Sequence, residues 1–362
     1  MRSVISAFGR PSIARTDMKR GALIAFVFGL ALFIALLVYT GAGAILQALE
    51  VAGWGLVGIA AFHALPLALD SAGQWYALPH AGEERPRLAT TLRARWIAES
   101  VNGLLPVAQM GGLFVMARVI AQRGYPGSAA GAGVTVGTTL QMLAQMLFSF
   151  VGVLLLISYS GDIGIVLALV LGISLFTAFC VWFYHLQRHG LYQRLAGFLQ
   201  RLSSGRDWES FSGGAQALDA AVRRVYAQLA RVWASFFLYL AGWVVGTGEV
   251  WLALHALDID VSLQDAFLLE SLGQAITAMA FIIPGALGVQ EGGYVLLCAL
   301  IGVPADAAIA LSLIKRVRQL ALGIPGLLSW QLFEGRRLRA RTVLPATADP
   351  VAKPISDRTP RS

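Results

Sequence analysis

Long apolar segments recur along this chain, and many of them end beside arginine or lysine residues. A helix needs about 20 residues to cross the hydrocarbon core of a bilayer, where only helices and closed barrels satisfy their own backbone hydrogen bonds. Segments long enough to cross occupy residues 21–39, 54–77, 129–157, 163–184, 233–255 and 305–333. The chain is therefore predicted to be an all-α polytopic membrane protein with about six spanning helices.

The composition agrees with this prediction and excludes several function classes. Charged residues make up 13% of the chain, against about a quarter in soluble domains. The net charge of +8 comes from short basic loops that set membrane topology, so nucleic-acid binding is not expected. The two cysteines and five histidines form no metal-ligand spacing, and no nucleotide loop or nucleophile motif occurs. We expect no metal, no cofactor and no enzyme activity, with a membrane-embedded transferase as a minor alternative.

The distribution of basic residues predicts the topology. Residues 1–20 and 336–362 are basic, whereas the loop that carries Asp258, Asp260 and Asp265 has no lysine or arginine. The positive-inside rule then places both termini in the cytoplasm, with one transmembrane domain at 21–335, an amphipathic cytoplasmic loop at 186–231 and a disordered tail at 336–362. Residues 21–38 also resemble a signal peptide, but their length favours an uncleaved span.

Two apolar segments are interrupted by proline and glycine. The segment at 96–105 has only ten residues, or about 15 Å of helix, which is too short to cross. Non-helical backbone survives at membrane depth only where protein buries it or where it lines a watery cavity. We therefore predict two re-entrant or discontinuous helical hairpins, whose breaks lie at Pro106, Gly111 and Gly112 in the first and at Pro284, Gly285, Gly288, Gly292 and Gly293 in the second.

The two interrupted segments belong to an internal repeat. Glu-Ser, Gln-x-Gly-Gly and Pro-x-x-Ala-Ala-x-Ala occur in the same order from residue 99 and again from residue 270. The repeats cover about 54–157 and 233–333. By the predicted topology, the first hairpin starts on the cytoplasmic side and the second on the outer side. An inverted repeat of broken hairpins is typical of transporters that bind substrate near the midplane.

Three cations in the last predicted helix indicate where a site lies. Lys315, Arg316 and Arg318 are too deep to reach either surface easily, so they need counter-charges. Glu270 and Glu291 or a lipid phosphate could supply them, and a purely structural network is the alternative. The other expected cavity residues are polar side chains of the two hairpins together with one further arginine, namely Glu99, Asn102, Gln109, Arg118, Gln274 and Gln290. Asp70 and Glu249 are weaker candidates.

These motifs carry a family resemblance. The letters RWIAESVNGLLP at 95–106, QMGG at 109–112, PGALGVQE at 284–291 and KR at 315–316 resemble the lysylphosphatidylglycerol synthase transmembrane, flippase-type superfamily, and most closely its hopanoid-associated HpnL-type proteins. The resemblance spans about residues 20–335. It implies a bacterial inner-membrane protein that moves or matures a lipid, such as a hopanoid or a related modified lipid. Because no aminoacyl-transferase domain follows, we do not expect synthase activity.

The sequence thus supports two hypotheses. In the first, the protein flips or transports a lipid through a cavity between the two broken hairpins, and its partners are membrane lipids. In the second, it is a non-transporting scaffold for enzymes that modify hopanoids or glycolipids.

Overall fold

The computed structural model describes residues 50, 53–79, 85–105, 111–157, 163–194, 208–280, 286 and 288–343. All regular secondary structure in these residues is helical, which confirms the all-α prediction. The helices are α1 (Gly55–Phe62), α2 (Ala64–Ala77), α3 (Leu88–Leu104), α4 (Gly111–Ala121), α5 (Gly127–Ile157), α6 (Ile163–Arg188), α7 (Trp208–Tyr226), α8 (Leu229–His255), α9 (Leu263–Met279), α10 (Val289–Leu300) and α11 (Ala305–Val343).

Four helical segments of the described residues are long and apolar enough to cross a membrane. They are Gly55–Ala77, Gly127–Ile157, Val170–Arg188 and Leu229–His255. Each lies on a predicted span, so the chain is a multi-pass membrane protein. The predicted span at 21–39 lies outside the described residues. The predicted span at 305–333 lies within α11, which has 39 residues.

The first hairpin consists of α3 and α4, and its first helix is longer than predicted. The predicted ten residues at 96–105 are the second part of a 17-residue helix that begins at Leu88, directly after Pro86 and Arg87. Arg93 and Arg95 favour a loop before Trp96 by sequence alone, but both lie on the helix. Arg93 donates to the Ser329 hydroxyl at 3.0 Å, and Arg95 pairs with Asp70 at 2.7 Å.

The second hairpin consists of α9 and α10. Ser262 and Asp265 form a capping box at the start of α9, which satisfies backbone donors of its first turn. The turn before α10 contains Ala286 and Gly288, with φ of 47° and 76°, a backbone conformation that suits glycine.

The second helix of each hairpin, α4 or α10, begins within the segment that is predicted to be a break. Gly292 and Gly293 lie in the first turns of α10, and Gly111 and Gly112 are the first residues of α4. They are helical because a side chain caps each helix start: Glu291 accepts the Gly288 N–H at 2.8 Å, and Asn102 accepts that of Gly112 at 2.8 Å. The predicted break residues Pro106, Pro284 and Gly285 lie outside the described residues.

Helix α5 is the central element of the packing. It contributes Val153 and Leu156 to a core shared with α8, α9, α10 and α11. It contributes Ala129, Ala130 and Val134 to a second core with α3 and α4, and further residues to a third core with α7 and α8. A single 31-residue helix therefore connects all three cores.

The segment predicted as an amphipathic cytoplasmic loop, 186–231, contains the helix α7. Its apolar face, with Ala221, Val222 and Val225, packs against α5. Buried Asp219 accepts the backbone N–H groups of Tyr192 and Gln193. Residues 195–207 lie outside the described part.

At the other end of the chain, α11 continues to Val343. It therefore includes residues 336–343 of the segment predicted as a disordered tail. Residues 344–362 lie outside the described residues.

Candidate functional site

Eight ionisable side chains form three ion-paired sets along α11, with partners from α3, α8, α9, α10 and the junction of α1 and α2. Each is within 4.0 Å of an oppositely charged or ionisable partner in this group. We call this group the central charge cluster, and its members are His63, Glu99, Glu249, Glu270, Glu291, Lys315, Arg316 and Arg318.

Helix α11 supplies the three permanent cations of the cluster. Successive residues of an α-helix point about 100° apart, so the cations at 315, 316 and 318 reach different neighbours. Lys315 forms an ion pair with Glu270 of α9. Arg316 Nη2 lies 2.5 Å from Glu291 Oε1 of α10, and its Nε donates to the same oxygen at 2.7 Å.

The third cation, Arg318, faces α8. Its Nε lies 2.9 Å from Glu249 Oε1, and its Nη1 lies 4.0 Å from Glu99 Oε1 of α3. Helix α11 is thus tied by buried ion pairs to both helices of the second hairpin and to α8.

His63 lies at the junction between α1 and α2. Pro66 has no N–H to donate to the carbonyl of Phe62, which interrupts the helix at this point. The two ring nitrogens of His63 face different helices: Nδ1 is 2.9 Å from Glu249 Oε2, and Nε2 is 2.8 Å from Glu99 Oε1. Both contacts are hydrogen bonds when the imidazole carries two protons.

A glycine allows α8 to approach this junction closely. A Cβ atom on Gly248 would lie 2.6 Å from the ring of Phe62, closer than carbon atoms pack. The absence of a side chain at Gly248 therefore brings its neighbour Glu249 within reach of His63.

The cluster is accessible mainly through two of its four carboxylates. The Glu99 side chain is 41% exposed and that of Glu291 27%, whereas Lys315 is 8% and Arg316 5% exposed. The cations are therefore paired with carboxylates inside the bundle. The exposed edge of the cluster carries the negative charge of Glu99 and Glu291. An ionisable group at membrane depth is costly, so such an edge is suited to contact a polar group that enters the bundle.

Two predicted cavity residues support the cluster. Gln274 donates to Glu270 Oε1 at 2.8 Å, one turn along α9. Gln290 donates to the Ser312 hydroxyl at 2.9 Å. Asn102 contacts the start of α4 rather than the cluster, and Gln109 lies outside the described residues.

Arg118 does not belong to the cluster. It lies in the last turn of α4 and pairs with Glu334 near the end of α11, with 59% of its side chain exposed. Glu334 follows Arg318 by 16 residues, or about 24 Å of helix. The predicted meeting of Arg118 with Lys315, Arg316 and Arg318 is therefore wrong, because the turn after α4 lies beside the far end of α11.

A second polar group lies one helical turn from the cluster on α3. Arg95 donates to Asp70 Oδ2 at 2.7 Å and to the side-chain oxygen of Gln141 at 2.9 Å, and Gln141 donates to Asp70 at 3.0 Å. Because Arg95 and Glu99 are four residues apart, the same face of α3 connects this group to the cluster.

Two members of the central charge cluster are not among the residues expected to line the cavity: His63, and Glu249, which is a weaker candidate by sequence. The signal that identifies them is an ionisable residue inside an apolar span, and for His63 also the proline three residues later. Across the described residues, no group of three His, Cys, Asp or Glu side chains has a metal-binding arrangement.

Comparison with known proteins identifies the family of this chain. The family described as the lysylphosphatidylglycerol synthase TM region matches residues 24–326, which include every member of the central charge cluster. No significant match was found among curated proteins or solved structures. Since the matched region covers most of the chain, this protein belongs to the lysylphosphatidylglycerol synthase transmembrane-region family.

Proposed function

We propose that this protein translocates a lipid across the bacterial inner membrane, with the polar headgroup passing the central charge cluster between the two hairpins. The observation that carries the proposal is the cluster itself, because charged groups in the interior of a membrane protein mark substrate and ion pathways. Family membership agrees with a role in lipid modification or transport. The substrate that we favour is a hopanoid or a related modified lipid, as the HpnL-type resemblance suggests.

The lengths of the hairpin helices support a repeated architecture. In the first hairpin, α3 has 17 residues and α4 has 11. In the second, α9 has 17 residues and α10 has 12. The Glu-Ser pair lies late in α3 and near the middle of α9, and each glutamate belongs to the central charge cluster.

Each hairpin packs against the long helix of the other repeat. The first hairpin packs on α11 of the second repeat, where a Cβ atom on Gly326 would lie 2.0 Å from Ser100 Oγ. The second hairpin packs on α5 of the first repeat, where a Cβ atom on Gly152 would lie 2.0 Å from Ser271 Oγ. Equivalent serines thus contact equivalent long helices across the interface.

We further propose that the repeats are inverted and that about six helices span the membrane with both termini in the cytoplasm. Between the hairpins the chain has three spanning helices, α5, α6 and α8, so the hairpins enter from opposite faces. This arrangement favours alternating access of one central site to the two leaflets.

The test is a lipid-protection assay on the purified full chain in liposomes of phosphatidylethanolamine and phosphatidylglycerol. Fluorophore-labelled lipids of both kinds report movement between leaflets when an impermeant quencher is added outside. We expect Glu99→Gln to slow movement by at least about tenfold, which corresponds to about 1.4 kcal/mol in the barrier. The matched control is Glu334→Gln, which removes a carboxylate from the far end of α11 and should move lipid at the wild-type rate.

Two outcomes decide the proposal. Equal rates for wild type and Glu99→Gln contradict the assignment of the cluster as the lipid pathway. A wild-type protein that moves neither these lipids nor added hopanoids contradicts translocation, and then a scaffold for lipid-modifying enzymes becomes the better account.

A further inference from the structure

His63 is the member of the central charge cluster whose charge can change near neutral pH. The other members are four glutamates, one lysine and two arginines. Lysine and arginine keep their charge at physiological pH, whereas an imidazole gains or loses a proton there. With its glutamates ionised, the cluster has one more negative than positive fixed charge. Protonated His63 balances it, which matters because an unbalanced buried charge is costly.

Each ring nitrogen of His63 faces a carboxylate. Nε2 lies 2.8 Å from Glu99 Oε1, and Nδ1 lies 2.9 Å from Glu249 Oε2. An imidazole with two protons donates to both carboxylates, whereas a neutral imidazole has one N–H and donates to only one of them. The proton on His63 therefore decides whether its ring connects α3 with α8.

Glu249 is the partner that the neutral imidazole keeps, because its side chain is 5% exposed, whereas the 41% exposed Glu99 can bind water instead. Glu249 also binds Arg318, whose Nη1 lies 2.5 Å from Nδ1 and 2.9 Å from Nε2. The groups that face His63 are thus Glu99 from α3, Glu249 from α8 and Arg318 from α11, with Lys315 beyond Glu249. On its own span the nearest ionisable group is Asp70, which is paired with Arg95.

Glu99 provides the route for the proton. It contacts Nε2 directly, and its side chain is 41% exposed while that of His63 is 13% exposed. A proton that leaves Nε2 passes to the Glu99 carboxylate and then to water at the exposed side of Glu99. The neutral imidazole keeps its Nδ1–H on Glu249, and Glu99 is released from its contact with the α1–α2 junction.

We propose that His63 is a proton-binding site that couples lipid movement to proton transfer, with Glu99 as its outlet and Glu249 as the partner that holds the neutral imidazole. The proposal rests on the proposed function, since it supplies the driving ion for the same site. Protonation ties the first hairpin to the α1–α2 junction, and deprotonation frees it. Each state therefore favours a different position of the first hairpin.

The transport test uses the liposomes and labelled phospholipids described above, at pH values from about 5 to about 9. We expect the wild-type rate to change by at least about tenfold over this range and to respond to an imposed pH gradient. His63→Gln keeps a hydrogen-bonding side chain that does not titrate, so its rate should vary by less than about twofold. The matched control is His255→Gln on the outer end of α8, which should keep the wild-type pH dependence.

A wild-type rate that is the same at every pH and under every gradient overturns proton coupling while leaving lipid translocation in place. An unchanged pH dependence in His63→Gln also overturns it.

A second measurement does not depend on transport. Nitrogen-15 spectra of histidine-labelled full-length protein, assigned by comparison with His63→Gln, report the protonation of each ring nitrogen. We expect the Nε2 signal of His63 to change from protonated to unprotonated with rising pH, and Glu99→Gln to shift that transition. A His63 whose signals do not change over the range overturns the proposal even if lipid moves. A titrating His63 in a protein that moves no lipid supports the proton site and contradicts the proposed function.

Discussion

At the scale of single residues, the ion pair between Lys315 and Glu270 is buried on both sides. Both side chains are less than a tenth exposed, and the Lys315 ammonium also lies 5.6 Å from the ring centroid of Tyr294. A buried charge that loses its partner is strongly destabilising, whereas replacement of both partners by neutral groups is often tolerated. The pair therefore behaves as a unit.

We predict that Lys315→Met lowers the stability of the purified protein by about 3 to 5 kcal/mol, because it leaves the Glu270 carboxylate buried and unpaired. The double variant with Glu270→Gln should recover most of that loss. The measurement is thermal unfolding in detergent, followed by intrinsic tryptophan fluorescence. As a control, the corresponding changes at the exposed Arg118–Glu334 pair should alter stability by less than about 1 kcal/mol. A double variant less stable than Lys315→Met contradicts this account.

At the scale of the helices, glycine determines how closely the hairpins approach the long helices. Gly326 of α11 contacts Ser100 of α3, and Gly323, one turn earlier, lies where a Cβ would be 2.7 Å from Leu104. Between them, Pro325 leaves a backbone carbonyl of α11 without its helical donor. Trp96 of α3 donates to the neighbouring carbonyl of Leu322 at 2.9 Å. Small residues at helix contacts are typical of packing within membranes.

We expect Gly326→Ala to destabilise the protein by about 1 to 3 kcal/mol through overpacking against Ser100. Gly58→Ala on α1 is the matched control, because a Cβ at Gly58 meets no atom within 4 Å. Removal of a helical glycine there should be neutral or stabilise by up to about 1 kcal/mol. Thermal unfolding of the two variants side by side provides the comparison, and equal effects would argue against close helix packing at Gly326.

The same helices show what sequence reasoning can and cannot predict. The spans around α2, α5 and α8 were predictable because each apolar run is long enough to cross. The start of α3 is not predictable locally, because the partners of Arg93 and Arg95, Ser329 and Asp70, are remote in sequence. The depth of Lys315 and Arg316 in an apolar helix indicates that they need counter-charges. His63 and Glu249 were underestimated because helix packing, which local sequence does not encode, brings them together.

At the scale of the whole molecule, the two hairpins are linked through α5, α6 and α8, which cross the membrane an odd number of times in the proposed topology. The turn after the first hairpin, at Arg123, is then cytoplasmic. The loop before the second hairpin, at Asp260, is outside. Asp260 is fully exposed in this structure.

Cysteine labelling tests this topology. In a background with Cys180→Ala and Cys298→Ala, Asp260→Cys should react with an impermeant maleimide added outside intact cells. Arg123→Cys should react only after the membrane is opened, because its loop is on the other side. Modification of Asp260→Cys from the cytoplasm alone would exclude the inverted arrangement.

Because each hairpin packs on a helix of the other repeat, the order in which the helices are synthesised matters. The first hairpin rests on α11, which leaves the ribosome last, and the second rests on α5, which is made early. A nascent chain that ends after α6 therefore exposes Ser100 and Gly152 to lipid without their later partners Gly326 and Ser271. His63 and Glu99 are then present without Glu249 and Arg318. The first half must wait in the membrane, open to chaperones and proteases, until the second half inserts. Completion of α11 is thus the step that commits the newly made chain to its mature form.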